Sequence, residues 1–351
     1  MAVVSAPEGA STNAKVACIL PLTGPDQAYG KRALAGLRLA FADAPEQLIV
    51  RDTGGDPATT ADWLAQLQDD PGVVAVVGPL RSTEAEVAAP IAERHRLPML
   101  LLSQREGLGG HYVLQVAMTR TQQVRLLLQY AVGVLRLRRF GIVYPNDGYG
   151  SSFAETFKRE ASGDGASIVG AHAYPSGTTS FASAVVAVRD WQRTGLDALF
   201  IPDAAPTATA LASDVRNEAP RVVLLGTESW NDAKSLTNAG AAVDGAIFAD
   251  AFFADSPRPS TREFVERFQQ RAGQAPTVFE AQAFDAGMAL RKAIARGATS
   301  REQIVGGLSA LGTVEGAGEL HAAPGGFERS VSLLRYHDGK VEEVPAGATE
   351  S

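Results

Sequence analysis

Arg81, Ser82 and Thr83 follow an apolar run of five residues and open a helical pattern, and Ser103 and Arg105 follow a second apolar run. A hydroxyl at the start of a helix can cap it. The first turn also offers unpaired N–H donors at the positive end of the helix dipole, which suits a carboxylate. An arginine beside that turn can grip the same anion through two donors. The opposite charge is available later in the chain. Asp203 and Glu228 each follow a short buried run, and either carboxylate can accept a proton donor such as an amine. The plainer readings are helix caps for Ser82 and Thr83, a loop serine for Ser103, and solvated loop charges for Arg81, Arg105, Asp203 and Glu228.

Other chemistries are poorly served. The glycines of GDG at 163–165 precede a strand, so they do not form a dinucleotide fingerprint. GPDQAYGK has one residue too many between its glycines for a phosphate loop, and neither HExxH nor GxSxG occurs. The five histidines are scattered, without metal-ligand spacing. A single cysteine, Cys18, lies in the apolar run Val16–Leu20 and reads as a small buried hydrophobe. The expectation is a binding protein rather than an enzyme, with no cofactor and no metal. A net charge of −7 without a basic block argues against nucleic acid as a partner.

The elements that position these residues are strands of a doubly wound sheet. Val73–Val77 is short, apolar and β-branched, as a strand buried on both faces should be. Gly78 and Pro79 stop it, and Glu84 and Glu86 suit the positive first turn of the helix that follows. Met99–Leu102 is the returning strand. Such a crossover is right-handed and parallel, so Arg81–Thr83 and Ser103–Arg105 lie on the same carboxyl edge. The alternation begins with strands Val16–Leu22 and Gln47–Asp52 and reaches Tyr112–Val116. It repeats with helix Thr121–Leu135 and strands Phe140–Tyr144, Ser167–Tyr174, Leu196–Ile201, Val222–Leu225 and Val243–Ala249. Helices Ser260–Arg271, Val278–Ala295 and Arg301–Leu311 follow, and a hairpin, Val331–Tyr336 with Lys340–Val344, closes the chain. At 351 residues, 45% hydrophobic and 20% charged, the chain can bury the cores of two domains. No run is long enough to span a bilayer as a helix. The opening MAVVSAPEGASTNA has neither a basic start nor a long apolar stretch and reads as a disordered leader.

Taken in order, PLTGPDQAYGKRALAGLRLA, RDTGGDPATTADWLAQL, VVGPLRST, LPMLLLS and YPNDGYGSSFAETFKRE resemble the type I periplasmic solute-binding proteins. The branched-chain amino acid receptors of ABC transporters are the best-known members of that family. The resemblance runs from about Lys15 to about Val344. It implies two α/β lobes, each a doubly wound parallel sheet, joined by a three-stranded hinge in a Venus-flytrap arrangement. The implied division is a leader over 1–14, a first lobe of 15–118 plus 252–321, a second of 119–251 plus 322–345, and a tail over 346–351. The crossings are expected near Ala117–Arg120, Ala249–Ala251 and His321–Phe327.

The resemblance also implies roles. Ser82, Thr83 and Ser103 match the positions that hold a ligand carboxylate. Tyr149 in NDGYG matches an aromatic lining the site, and Glu228 in LLGTESW matches the carboxylate that receives a ligand ammonium. Asp203 stands where the family often has an aromatic clamp, and Arg81 and Arg105 replace smaller residues, which opens the way to a more polar or acidic ligand. The implied function is extracytoplasmic capture of a small polar ligand, an amino acid or related carboxylate, between the lobes for an ABC permease. The location is periplasmic, with lipid anchoring of the precursor left open. The stretch from Leu100 to Gly150 also resembles lipoprotein activators of cell-wall synthases that share this fold, and in that alternative the partner is a peptidoglycan synthase.

Overall fold

The structure, a computed structural model, describes residues 14–163 and 165–344. The leader expected over 1–14 lies outside the described residues except for Ala14, which is buried. The tail expected over 346–351 lies outside them entirely. The chain divides into two compact units. The first comprises residues up to Ala117 together with Ser256–Ser330, and the second Met118–Asp255 together with the chain from Val331.

In the first unit, β1 (Lys15–Leu20), β2 (Leu48–Asp52), β3 (Val73–Val77), β4 (Met99–Leu101) and β5 (Val113–Gln115) alternate with α1 (Gln27–Ala40), α2 (Pro57–Gln68) and α3 (Ser82–Arg94). The five strands pair in parallel in the order β2-β1-β3-β4-β5. All of β3 is buried, as its unbroken apolar sequence requires when helices cover both faces. The order reverses between β1 and β3, and the carboxyl ends of that pair form a topological switch point.

The second unit holds α4 (Arg120–Leu128), β6 (Arg139–Pro145), α5 (Gly148–Ala161), β7 (Ser167–Tyr174), α6 (Ala182–Arg193), β8 (Ala198–Phe200), α7 (Ala205–Glu218), β9 (Val223–Gly226), α8 (Ala233–Ala239) and β10 (Ile247–Asp250). Its strands repeat the same order, β7-β6-β8-β9-β10, with the reversal between β6 and β8. The chain then supplies the first unit with α9 (Pro259–Ala272), α10 (Val278–Ala295), α11 (Arg301–Ser309), β11 (Thr313–Glu315), β12 (Glu319–Ala323) and β13 (Gly326–Arg329). It ends in the second unit with the antiparallel pair β14 (Ser332–His337) and β15 (Lys340–Glu343), of which β14 also pairs with β10.

Helix α10 is buried on most of its circumference and packs along α1. The approach is close enough that a Cβ on Gly36 would lie 2.0 Å from the Glu280 carbonyl oxygen. Arg32 of α1 also pairs with the buried Glu280 carboxylate at 3.0 Å.

Several boundaries differ from those read in the sequence. The second passage between units falls at Asp255/Ser256 rather than Ala249–Ala251, because Phe253 still packs in the second unit's core. The third falls at Ser330/Val331 rather than His321–Phe327. There β12 and β13 form a hairpin that joins the first sheet through Gly326 opposite Gln115. Within that edge, Arg329 pairs with the fully buried Asp285 at 2.7 Å and donates to the Val116 carbonyl at 3.1 Å. The helix expected over Thr121–Leu135 is α-helical only to Leu128, and a wider π-type turn continues over Gln129–Val134. The strand expected from Val243 begins at Ile247, after a 3-10 turn over Gly240–Val243.

Candidate functional site

The first unit's candidate residues lie around its switch point. Gly78, at the exit of β3, has φ +109°, and a Cβ there would sit 2.3 Å from the Ile19 carbonyl of β1. Only glycine lets the two strand ends run so close. Helix α3 then starts at Ser82, with extended Arg81 as its N-cap and no side chain capping it. Ser82 and Thr83 are therefore not caps. They occupy the first two helical positions, half-buried and exposed respectively, and the cap residue Arg81 gives the leading N–H groups no side-chain acceptor. That is the condition under which a helix start binds an anion.

Arg81 and Arg105 both have acidic partners within this unit. Arg81 pairs with Asp26, the N-cap residue of α1, so one ion pair ties the starts of α1 and α3 together across the switch point. Arg105 meets Glu86 of α3 at 2.8 Å. Ser103 is buried and builds its own loop: its hydroxyl accepts the Arg105 N–H at 3.1 Å and its carbonyl accepts Gln115 Nε2 at 2.7 Å. Glu84 is fully buried and accepts from Thr60 Oγ1 at 3.0 Å. One feature escaped the sequence reading. Tyr29, in the first turn of α1, is 48% exposed, and its ring lies 4.8 Å from that of Phe279 in α10. The signal was an aromatic residue in DQAYG just past the carboxyl end of β1, where the helical pattern calls for no large apolar side chain.

In the second unit the loops after β6, β8 and β9 bring Tyr149, Asp203 and Glu228 onto one carboxyl edge. Tyr149 stands in the first turn of α5, whose N-cap Asp147 accepts the Gly150 N–H. Its hydroxyl lies 2.8 Å from Thr227 Oγ1 and 3.4 Å from Glu228 Oε1. Thr227 Oγ1 is in turn 2.8 Å from Ser229 Oγ, and Ser229 donates to the Asp203 carbonyl at 2.7 Å. That carbonyl can only accept, so Ser229 donates there and Thr227 donates to Ser229, while the one proton of the Tyr149 hydroxyl faces two acceptors, Thr227 Oγ1 and Glu228 Oε1. The Tyr149 hydroxyl is placed to donate to the Glu228 carboxylate, and the phenol oxygen keeps a lone pair beside that carboxylate as a second acceptor. Desolvation of the hydroxyl, and then the Glu228 charge, push the Tyr149 phenol well above its ordinary range, so the hydroxyl keeps its proton.

Asp203 is otherwise engaged. Its Oδ2 accepts the Tyr174 hydroxyl at 2.5 Å and its Oδ1 accepts the Ala204 N–H at 2.7 Å. Burial and this carboxylate together raise the Tyr174 phenol. Trp230, beside Glu228, is fully buried and donates to the Ile201 carbonyl at 2.9 Å, so it belongs to the core. Behind Glu228 lies Asp250, almost fully buried at the end of β10. It accepts from Asn231 Nδ2 at 2.8 Å and from the Phe252 N–H at 3.1 Å. Burial pushes its carboxyl up to about 7, and the Glu228 charge adds to that rise. The fold also brings His337 to 3.3 Å from Asp244 and 3.5 Å from Asp338 on an exposed turn, a grouping its sequence neighbours did not announce.

Chemically, the first unit presents backbone N–H donors and the second an acceptor pair, a carboxylate beside a phenol oxygen. The first is suited to a carboxylate and the second to an ammonium group.

The sequence profile of the periplasmic binding protein family matches residues 13–336. A Leu/Ile/Val-binding protein of Rhizobium johnstonii is 23% identical over 249 residues, 67% of each chain. An ABC transporter substrate-binding protein from Sphaerobacter thermophilus superposes with a TM-score of 0.82 at 21% identity, covering 95% of this chain and 96% of that one. One from Desulfitobacterium hafniense, solved in complex with Leu, superposes with a TM-score of 0.77 at 24% identity, covering 94% and 99%. Among the described residues no helix is long and apolar enough to cross a membrane.

Proposed function

Because the chain belongs to the periplasmic binding protein family, we propose that it is the extracytoplasmic capture protein of an ABC importer and that its cargo is an α-amino acid with an uncharged side chain. The observation that carries this reading is the Glu228 carboxylate beside the Tyr149 hydroxyl, at 3.4 Å, a carboxylate and a phenol oxygen lone pair on one edge. An ammonium ion is matched by such a pair of acceptors, whereas a second carboxylate would be repelled by it. Taken by itself, the start of α3 in the first unit, with Ser82 and Thr83, has the chemistry that suits a carboxylate. Arg81 and Arg105 are each matched by an acid of their own unit, which gives no reason to expect an acidic side chain on the cargo. The Rhizobium relative, named for Leu, Ile and Val, and the Desulfitobacterium structure with Leu support aliphatic cargo.

A thermal-shift panel of the amino acids and their deaminated counterparts tests the reading. Ligand at about one hundred times its Kd stabilises the folded protein by about 2.7 kcal/mol, enough for a clear rise in the unfolding midpoint. The rise is expected to be larger with leucine, isoleucine or valine than with the matching acids that lack the amine, which bind through their carboxylate alone. A panel in which only the deaminated acids respond, or none does, refutes it.

A further inference from the structure

We propose that Gln123, in α4, is a positioning residue for ammonium capture: it holds the backbone of Glu228 so that the carboxylate stands against Tyr149. The inference rests on the function proposed above.

Gln123 is fully buried, and its Oε1 accepts the Glu228 N–H at 3.2 Å from 105 residues away in the chain. That contact fixes the amide, because the flipped orientation would set an N–H₂ against an N–H. Glu228 opens the 3-10 turn Glu228–Trp230, and Thr227 precedes it as the N-cap residue. A threonine there would ordinarily turn its hydroxyl back to cap the turn. Here it makes no such bond, because the hydroxyl links Tyr149 to Ser229 instead. Gln123 supplies an acceptor for the first N–H of the turn, which a hydroxyl at the cap position, serving the second or third, does not satisfy.

Folding stability alone does not explain the amide. Gln123 Nε2 is buried and has no hydrogen-bond partner among the described residues. A buried donor left unmade is unfavourable, and an apolar side chain of similar volume would avoid it. The amide is explained by what its oxygen does for Glu228. Without that oxygen, the Glu228 N–H loses its acceptor and the start of the turn is free to shift. The Glu228 carboxylate then moves from its place 3.4 Å from the Tyr149 hydroxyl, and the two oxygens that face an ammonium no longer keep their spacing.

The test uses the full chain and two probes, L-leucine and 4-methylpentanoate, which is leucine without its amine. Affinities are measured by calorimetry for the parent and for Gln123→Met and Gln123→Leu, with thermal unfolding recorded alongside. Both variants are expected to keep the parent's unfolding midpoint and to bind leucine about tenfold more weakly, while affinity for 4-methylpentanoate is unchanged. Selective loss for the amine-bearing probe is something a merely structural residue would not produce. Unchanged leucine affinity in a folded variant, or an equal loss for both probes, overturns the inference and leaves the proposed function standing. Failure of the parent itself to bind leucine removes both. Should Gln123→Met not fold, Gln123→Leu carries the comparison; should neither fold, the amide is needed for folding and the inference is overturned.

Discussion

Asp250 should make the second unit less stable as pH rises through neutrality, and Asp250→Asn should abolish that trend. The carboxyl is held up to about 7 from an ordinary 3.8, chiefly by burial, with the Glu228 charge behind it. In the unfolded chain it ionises near 3.8, whereas in the folded protein it keeps its proton until about 7. Between those values the folded state binds the extra proton, so stability falls as pH rises and levels off above the folded value. At about 1.4 kcal/mol per pH unit, the difference grows to about 4 kcal/mol. Asparagine can keep the acceptor for the Phe252 N–H, and Asn231 can turn its own amide to meet the new N–H₂. Urea unfolding of parent and variant from pH 4 to pH 8, followed by tryptophan fluorescence, gives the stability difference at each pH. The variant should gain on the parent by about 4 kcal/mol across the range. Parallel curves would show that Asp250 is ionised in the folded protein at low pH and would refute the argument. A Glu228→Gln background should move the parent's transition to lower pH, because one of the charges raising Asp250 is gone.

Glu228→Ala should weaken amino acid binding by about 2–5 kcal/mol in calorimetry while leaving the circular dichroism spectrum intact. Gly36→Ala should destabilise the first unit by about 1–3 kcal/mol, seen as a lower urea midpoint, because the new Cβ meets the Glu280 carbonyl. Arg329→Ala should lower stability by about 3–5 kcal/mol by leaving Asp285 charged and unpaired inside the first unit; Arg329→Ala with Asp285→Ala should recover part of that loss.

What the sequence made legible was whatever repeats over several residues. Val73–Val77 and Val278–Ala295 carry uniform apolar or helical patterns, and the strand and helix run over those same residues. Tyr149 and Glu228 could be picked out because each follows a buried strand at an end where ligands bind. The helix start was harder. Ser82 and Thr83 have the chemistry of caps, but which residue is extended and which is helical depends on how β3 leaves the sheet past Ile19. For Asp203 the place after β8 was evident in the sequence, but its partner Tyr174 is 29 residues away and was not. The hairpin β12–β13 is short and glycine-joined, so its pairing with β5 leaves little trace in local pattern. Gln123 gave no local signal at all, since a glutamine in a helix is ordinarily a surface residue.

The division of each unit between distant parts of the chain governs the order in which the protein can be completed. As the chain emerges from the ribosome, β1 to β5 have no α10 to cover α1. The contact between Arg32 and Glu280 closes a loop of 248 residues. The second unit likewise waits for β14 and β15 to cover the edge of β10. Contacts of such long sequence separation form late and slowly, because the entropy of loop closure precedes their reward. Neither unit can therefore finish folding before its last segment, β13 for the first and β15 for the second, has left the ribosome.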